Sequence, residues 1–314
     1  MSVETTADRS ATPTPIVSVV VASYNGAQTI SHTLASLAAQ HSSIPFETIV
    51  VDSSEDDTPV LVARDFPAVR LVRSAERRYA GDARNLGAAV AQGRILAFLD
   101  ADCTVGPDWI DQVVRAHARP EEVVGGVVVN GNPESYAGWA YYFTEFNQWL
   151  PDRPAGIVDE VPGCSMTIKR SAYDRYGPFM VGGYCSDTQL VWRLAAEGKR
   201  PYLSPSIRVA HRNPDRLLAI LQHQPQHGRH FARLRSRERL TAAGTVWHAA
   251  SAVFLPPVLF ARAARRVWQH SPYRSRFILS APLTFVAMTW WAWGELRGYL
   301  ESAFTGTAPR RGES

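Results

Sequence analysis

Asp100 and Asp102 stand two residues apart at the end of an uninterrupted apolar run, residues 95–99, bounded by Gly93-Arg94 before it and Gly106-Pro107 after it. Such a run reads as a strand buried on both faces, and its C-terminal end is where open α/β sheets bind ligands. Residues two apart on a strand point to the same side. Paired carboxylates there suit Mg²⁺ or Mn²⁺, hard cations that keep several waters and combine one or two protein carboxylates with substrate phosphates. The competing reading is helix capping, the part Asp108 can play before Trp109.

Other segments supply the partners such chemistry needs. Residues 16–26 form a β-branched strand that stops at the polar turn Ser23-Tyr24-Asn25-Gly26. Residues 28–40 follow with helical spacing, and residues 46–52 make a second strand that ends on Asp52. Hydroxyls and carboxylates at residues 53–59 open a helix to about residue 65. A short strand at 69–72 and a helix at 79–92 lead into the central strand. The alternation implies parallel strands with crossover helices, so the loops after Asn25, Asp52 and Asp100 gather on one edge. No Gly-x-Gly-x-x-Gly follows the first strand and no P-loop is present, which argues against a dinucleotide site or a glycine phosphate cradle. On the helix before the central strand, Arg84 and Asn85 either contact phosphate or ribose, or lie on an exposed face with Asp82.

Taken in order and at their separations, VSVVVASYN, VVDSSEDDT, GDARNLGAA and GRILAFLDADC resemble the nucleotide-sugar half of the family 2 glycosyltransferases, over roughly residues 16–230. The resemblance implies a GT-A fold: an α/β nucleotide-sugar-binding domain with a mostly parallel central sheet. It implies that Ser23, Asp52 and Arg84 hold the nucleotide, that Asp100 sits near ribose and metal, and that Asp102 binds Mn²⁺ or Mg²⁺ directly. The family usually reads Glu-Asp before an apolar helix. Here Ser186 replaces the Glu and Asp187 keeps the acid, which makes Asp187 the expected base for an acceptor hydroxyl. His211 ends a strand, where a lone His is more often structural. In similar transferases a His at this place joins the metal site, and neutral imidazole is a reasonable ligand for Mn²⁺.

The second half offers less. Residues 136–150 carry aromatics at helical spacing, either core or a platform for sugar or lipid. Residues 163–170 read as a strand that begins with small residues. In residues 217–230, His227 stands where similar membrane-linked transferases commonly have Arg, and Arg229 is a candidate for a phosphate contact.

The 314 residues carry a net charge of +4 and a pI near 9.1, with Lys169 and Lys199 as the only lysines. Arginine suits phosphate and anionic head groups, and genome bias explains the same composition. Three cysteines are too few and too scattered for a disulfide framework or a zinc cluster, and a reducing cytosolic setting follows. Residues 1–15 and 301–314 read as a disordered leader and tail around a catalytic domain at 16–240 and an apolar helical region at 241–300.

Within that region, residues 246–261 contain Pro256-Pro257, and residues 277–293 contain Pro282. Each stretch is near the length of a spanning helix. A simple hairpin through the membrane would carry Arg262, Arg265, Arg266, Arg274 and Arg276 away from the catalytic side, against the positive-inside rule. The expectation is therefore a first segment turned back by its prolines or lying in the interface, with the basic helix at 227–240 on anionic head groups. The expected protein is a metal-dependent inverting glycosyltransferase on the cytoplasmic face of the cell membrane. Its donor is a nucleoside-diphosphate sugar of UDP or GDP type, its acceptor a lipid-linked or surface glycan, and no nucleic acid partner is expected. Nucleotidyl transfer and a non-catalytic membrane scaffold are the competing functions.

Overall fold

The structure, a computed structural model, describes residues 14–304. Most of the expected leader and tail lies outside the described residues. The chain starts with strand β1 (Val17–Ser23), helix α1 (Ile30–Ala38), β2 (Phe46–Asp52), α2 (Thr58–Asp65), β3 (Arg70–Arg73), α3 (Ala80–Val90) and β4 (Ile95–Asp100). It continues through β5 (Cys103–Val105), α4 (Trp109–Ala116), β6 (Val123–Asn130), α5 (Tyr136–Glu145) and β7 (Gly156–Ile157). Then come β8 (Met166–Lys169), α6 (Arg170–Tyr176), α7 (Ser186–Ala196), β9 (Tyr202–His211) and α8 (Leu217–Arg239). The last elements are α9 (Ala242–Ser251), α10 (Leu255–His270) and α11 (Arg274–Phe304).

The strands form one sheet in the order β3-β2-β1-β4-β8-β6-β9-β5, with β7 paired to β9. Its first half is parallel throughout, β1 pairing with β2 and β4, and β2 with β3. The second half is mixed, because β8 runs antiparallel to both β4 and β6, and β5 antiparallel to β9. Parallel strands need both faces covered, and the β-branched runs answer that need. Val19 and Val21 join one buried cluster with α1 and α4, while Val20, Ile49 and Phe98 join the other under α3 and α7. The parallel register Ser23↔Asp52 and Ala22↔Asp100 brings three polar strand ends to one edge.

Two local expectations change and one open reading is decided. The stretch at 163–165 is a 3-10 turn, and strand β8 begins only at Met166. The aromatic helix α5 is core: Trp139, Tyr142 and Phe143 are buried, and only Tyr136 is half exposed. Pro256 and Pro257 do not turn the chain back. They occupy the first positions of α10, where missing amide hydrogens cost least, and a 3-10 turn at Ala252–Phe254 joins α9 to α10.

The helix α11 continues through Phe304, past the expected boundary at 300. Along its length it packs on α5 near Phe277 and Phe143, and on α8 near Tyr299 and Ala232. At the α8 crossing the backbones nearly touch, since a Cβ on Gly294 would lie 2.2 Å from the Pro225 carbonyl oxygen and one on Gly298 2.5 Å from that of Arg229. Small residues four apart permit this approach. Phe277, Ala287, Met288 and Tyr299 are buried. At about 1.5–3 kcal/mol for each large side chain, α11 is an integral wall of the domain.

The arginine conflict is resolved by folding. Arg266 donates to Asn147 and Gln148, and Arg276 lies 5.9 Å from the Trp139 ring, so the basic end of the α10–α11 hairpin stays against the sheet-bearing part of the chain.

Candidate active site

The site is assembled where β1, β2 and β4 end. Ser23 is buried there with its Oγ unpartnered, beside the end of β2. Asp52 is wholly buried: Ser54 Oγ donates to its Oδ1 at 2.6 Å, and Arg73 Nη1 lies 3.0 Å from its Oδ2. Two short-range partners thus fix the orientation of that carboxylate before any ligand arrives.

Arg84 is 4% exposed on α3, and its Nη2 donates to Asp100 Oδ1 at 2.9 Å. Burial works against the guanidinium charge, yet the Asp100 and Asp187 carboxylates more than restore it, so its pKa rises. This excludes the exposed-face reading of Arg84. Asn85 has a different job from the one expected. Its amide donates to the Phe179 carbonyl, and its Oδ1 accepts from the Phe179 amide and the Tyr173 hydroxyl, fixing the loop ahead of α7.

Asp187 lies in the first turn of α7, after Cys185, whose φ of 66° starts the helix sharply. A Cβ placed on Gly163 would meet Asp187 Oδ2 at 2.7 Å, Arg84 Nη1 at 2.7 Å and Arg84 Nη2 at 3.0 Å. Asp187 therefore faces the guanidinium that binds Asp100, with Gly163 leaving room between them. No capping hydrogen bond uses the Asp187 side chain among the described residues.

Asp102 follows β4, and His211 closes β9. The pairing of β5 with β9 sets Cys103 opposite His211, so His211 Nε2 comes to 3.4 Å from Asp102 Oδ1. A register shift between Gly126 and Val127 aligns the end of β9 so that His211 also faces Asn130. His211 Nδ1 lies 3.0 Å from Asn213 Oδ1, whose own amide donates to Asn130 Oδ1. Asn213 Oδ1 can accept a hydrogen bond from Nδ1–H, and in that tautomer Nε2 presents a lone pair on the Asp102 side. Enclosure raises the Asp102 carboxyl, His211 pulls it down and Asp100 raises it again, with a net upward shift. The Cys103 thiol is pushed well up by burial and stays protonated. One carboxylate oxygen and one imidazole nitrogen, facing each other beside a second carboxylate, fit a divalent cation of the Mn²⁺ type.

Two groups went unnoticed in the sequence. Arg77 lies over the rings of Tyr24 and Tyr79, 4.5 and 5.6 Å away, beside the loop that follows β1. Tyr184 packs edge-on against Tyr79, and its amide donates to His230 Nδ1. Arg229 turns away from the crevice: its Nε donates to Glu301 on α11, which Arg233 also contacts.

Residues 18–177 match the model for glycosyl transferase family 2. The chain is 43% identical over 112 residues to the succinoglycan biosynthesis protein ExoO of Rhizobium meliloti, a match covering 35% of this chain and 32% of that protein. It is 34% identical over 128 residues to the validoxylamine A glucosyltransferase of Streptomyces hygroscopicus subsp. jinggangensis, covering 38% and 30%. It is 32% identical over 186 residues to the glucosyl-dolichyl phosphate glucuronosyltransferase of Haloferax volcanii, covering 55% and 56%. The match thus spans about a third of the length of the first two curated relatives. Among solved structures, the mannosyltransferase PcManGT from Pyrobaculum calidifontis in complex with GDP-Man and Mn²⁺ superposes with a TM-score of 0.56 at 23% identity. That likeness covers 93% of this chain and 87% of the other, and it shows the fold.

Proposed function

Because the chain belongs to glycosyl transferase family 2 and has the GT-A fold, we propose that it transfers a sugar from a nucleoside diphosphate to an acceptor hydroxyl, with inversion and with the help of a divalent metal. One observation carries the reading: Asp187, from the second half of the chain, faces the buried Arg84 that binds Asp100, beside the converging Asp102 and His211. In this reading Ser23 and Asp52 hold the nucleotide. Arg84 holds Asp100 in place and offers its remaining N–H groups to the donor phosphates. Asp102 and His211 would hold Mn²⁺ or Mg²⁺, which when bound would supply positive charge to a departing diphosphate. Asp187 takes the acceptor proton as the oxygen attacks the anomeric carbon from the opposite face. Asp187→Asn is expected to abolish transfer while nucleotide-sugar binding stays within a few-fold. A panel of UDP- and GDP-sugars with Mn²⁺ or Mg²⁺ identifies the donor, and near wild-type turnover of the variant refutes the assignment.

The acceptor is lipid-linked or a surface glycan, and the enzyme works on the cytoplasmic face of the membrane. Two C-terminal segments are long and apolar enough to cross a membrane, at 29 and 31 residues. Their contacts support a helical hairpin lying on the membrane instead of one crossing it, since both ends of α11 rest on the catalytic domain. Trp247, Phe254, Ile278, Leu279, Trp293 and Phe304 are exposed on these helices, as an interfacial hairpin requires. Release by carbonate is the expected result, and retention in the pellet overturns this orientation.

A further inference from the structure

A second group of ligating atoms gathers on the other side of Tyr141. Glu145 ends α5, and α8 presents His223 and His227 one turn apart on a single face. His227 Nδ1 lies 3.3 Å from Glu145 Oε2, and His223 Nδ1 lies 4.0 Å from Glu145 Oε1. One ligand atom from each of the three residues falls within 4.8 Å of the others. Ligands of a tetrahedral zinc ion, each at about 2.0–2.2 Å from the metal, are about 3.3 Å apart.

Hydrogen bonding alone does not account for the arrangement. Gln224 Nε2 satisfies Glu145 Oε1 at 2.7 Å, but His227 Nδ1 is buried with no hydrogen-bond partner and sits at the wider spacing from Oε2. The side chains of Glu145, His223 and His227 are 11%, 26% and 22% exposed, which leaves an entry path. The α8 face is held rigid, since its Gly228 leaves no room for a Cβ against the Trp291 carbonyl on α11. Tyr141 separates this group from the Asp102 site, its ring 6.4 Å from that of His211 and 5.5 Å from that of His223.

We propose that Glu145, His223 and His227 form a second divalent-cation site of zinc type, with its fourth position left to water, distinct from the Asp102–His211 pair. Two imidazoles with a carboxylate favour Zn²⁺ over Mn²⁺ or Mg²⁺. The few cysteines of the chain do not weigh against it, because His and Glu carry the site. The ion ties α5 to α8, and its existence does not depend on the transferase reading.

The test uses the full chain, stripped with chelator, loaded with Zn²⁺ alone, desalted and analysed by mass spectrometry for metal. About one tightly held zinc per chain is expected in the wild type and in Asp102→Asn, falling about tenfold or more in His223→Asn and His227→Gln. A folded wild type that retains no zinc overturns the proposal, as does zinc lost with Asp102→Asn but kept by His227→Gln. Should the His variants fail to fold by circular dichroism, Co²⁺ loaded into the wild type decides. Intense tetrahedral bands are expected, and an octahedral spectrum overturns the site.

Discussion

Replacing Gly163 by alanine is expected to lower turnover about a hundredfold while leaving the fold and donor binding intact. The new Cβ would lie 2.7 Å from both Arg84 Nη1 and Asp187 Oδ2, where comfortable contact needs about 3.5 Å, so a shift of about 0.8 Å is required. Arg84 is a poor candidate to move, because it is buried and its Nη2 is bound to Asp100 at 2.9 Å. The displacement therefore falls on Asp187, the proposed base, and moves it relative to the acceptor oxygen. A misplacement near 1 Å costs about 10²-fold, or about 2.7 kcal/mol of transition-state stabilisation. The backbone itself tolerates alanine, since the positive-φ glycines among the described residues are Gly182 and Gly198. The assay is initial-rate release of nucleoside diphosphate from the donor found in the panel, with melting temperature and nucleotide-induced thermal shift measured alongside. Turnover within a few-fold of wild type, in a variant that melts normally, would refute the crowding argument and with it the placement of Asp187 against Arg84.

Asn213→Ala removes the acceptor that holds His211 Nδ1–H, so the Mn²⁺ concentration for half-maximal turnover should rise about tenfold or more; an unchanged metal titration counts against His211 as a ligand. His117 is buried with its Nε2 2.7 Å from Thr167 Oγ1, and burial with help from Lys169 lowers its pKa from 6.5 to about 4. Between those values the unfolded chain takes up a proton that the folded chain refuses. Stability should therefore fall as pH drops from 6.5 towards 4, by about 3 kcal/mol in total. Urea midpoints measured across this range should decline less steeply in His117→Gln, and parallel declines would show that another group dominates.

Much of the edge where β1, β2 and β4 end was legible before folding. Strands that run Phe46–Asp52 and Val123–Asn130 were readable to the residue, because β-branched runs bounded by turn residues carry their own signal. The acid that closes the first of them, Asp52, follows from the same local pattern, and the four-part resemblance set its place with Asp100 on one edge. Neighbours a few residues away decide such features. Pairings between distant residues depend on packing that no local pattern encodes. Arg84 meets Asp100, Gly163 opens the gap to Asp187, and His211 reaches Asp102 only because β9 pairs with both β5 and β6 across a register shift. The same holds for Asn85, which looked like a ligand contact and instead anchors the Phe179 loop, and for Glu145, whose partners on α8 are about 80 residues away. Composition marked the C-terminal helices as apolar. Their direction came from close backbone contacts at Gly228, Gly294 and Gly298, which bind α11 along the domain instead of letting it leave.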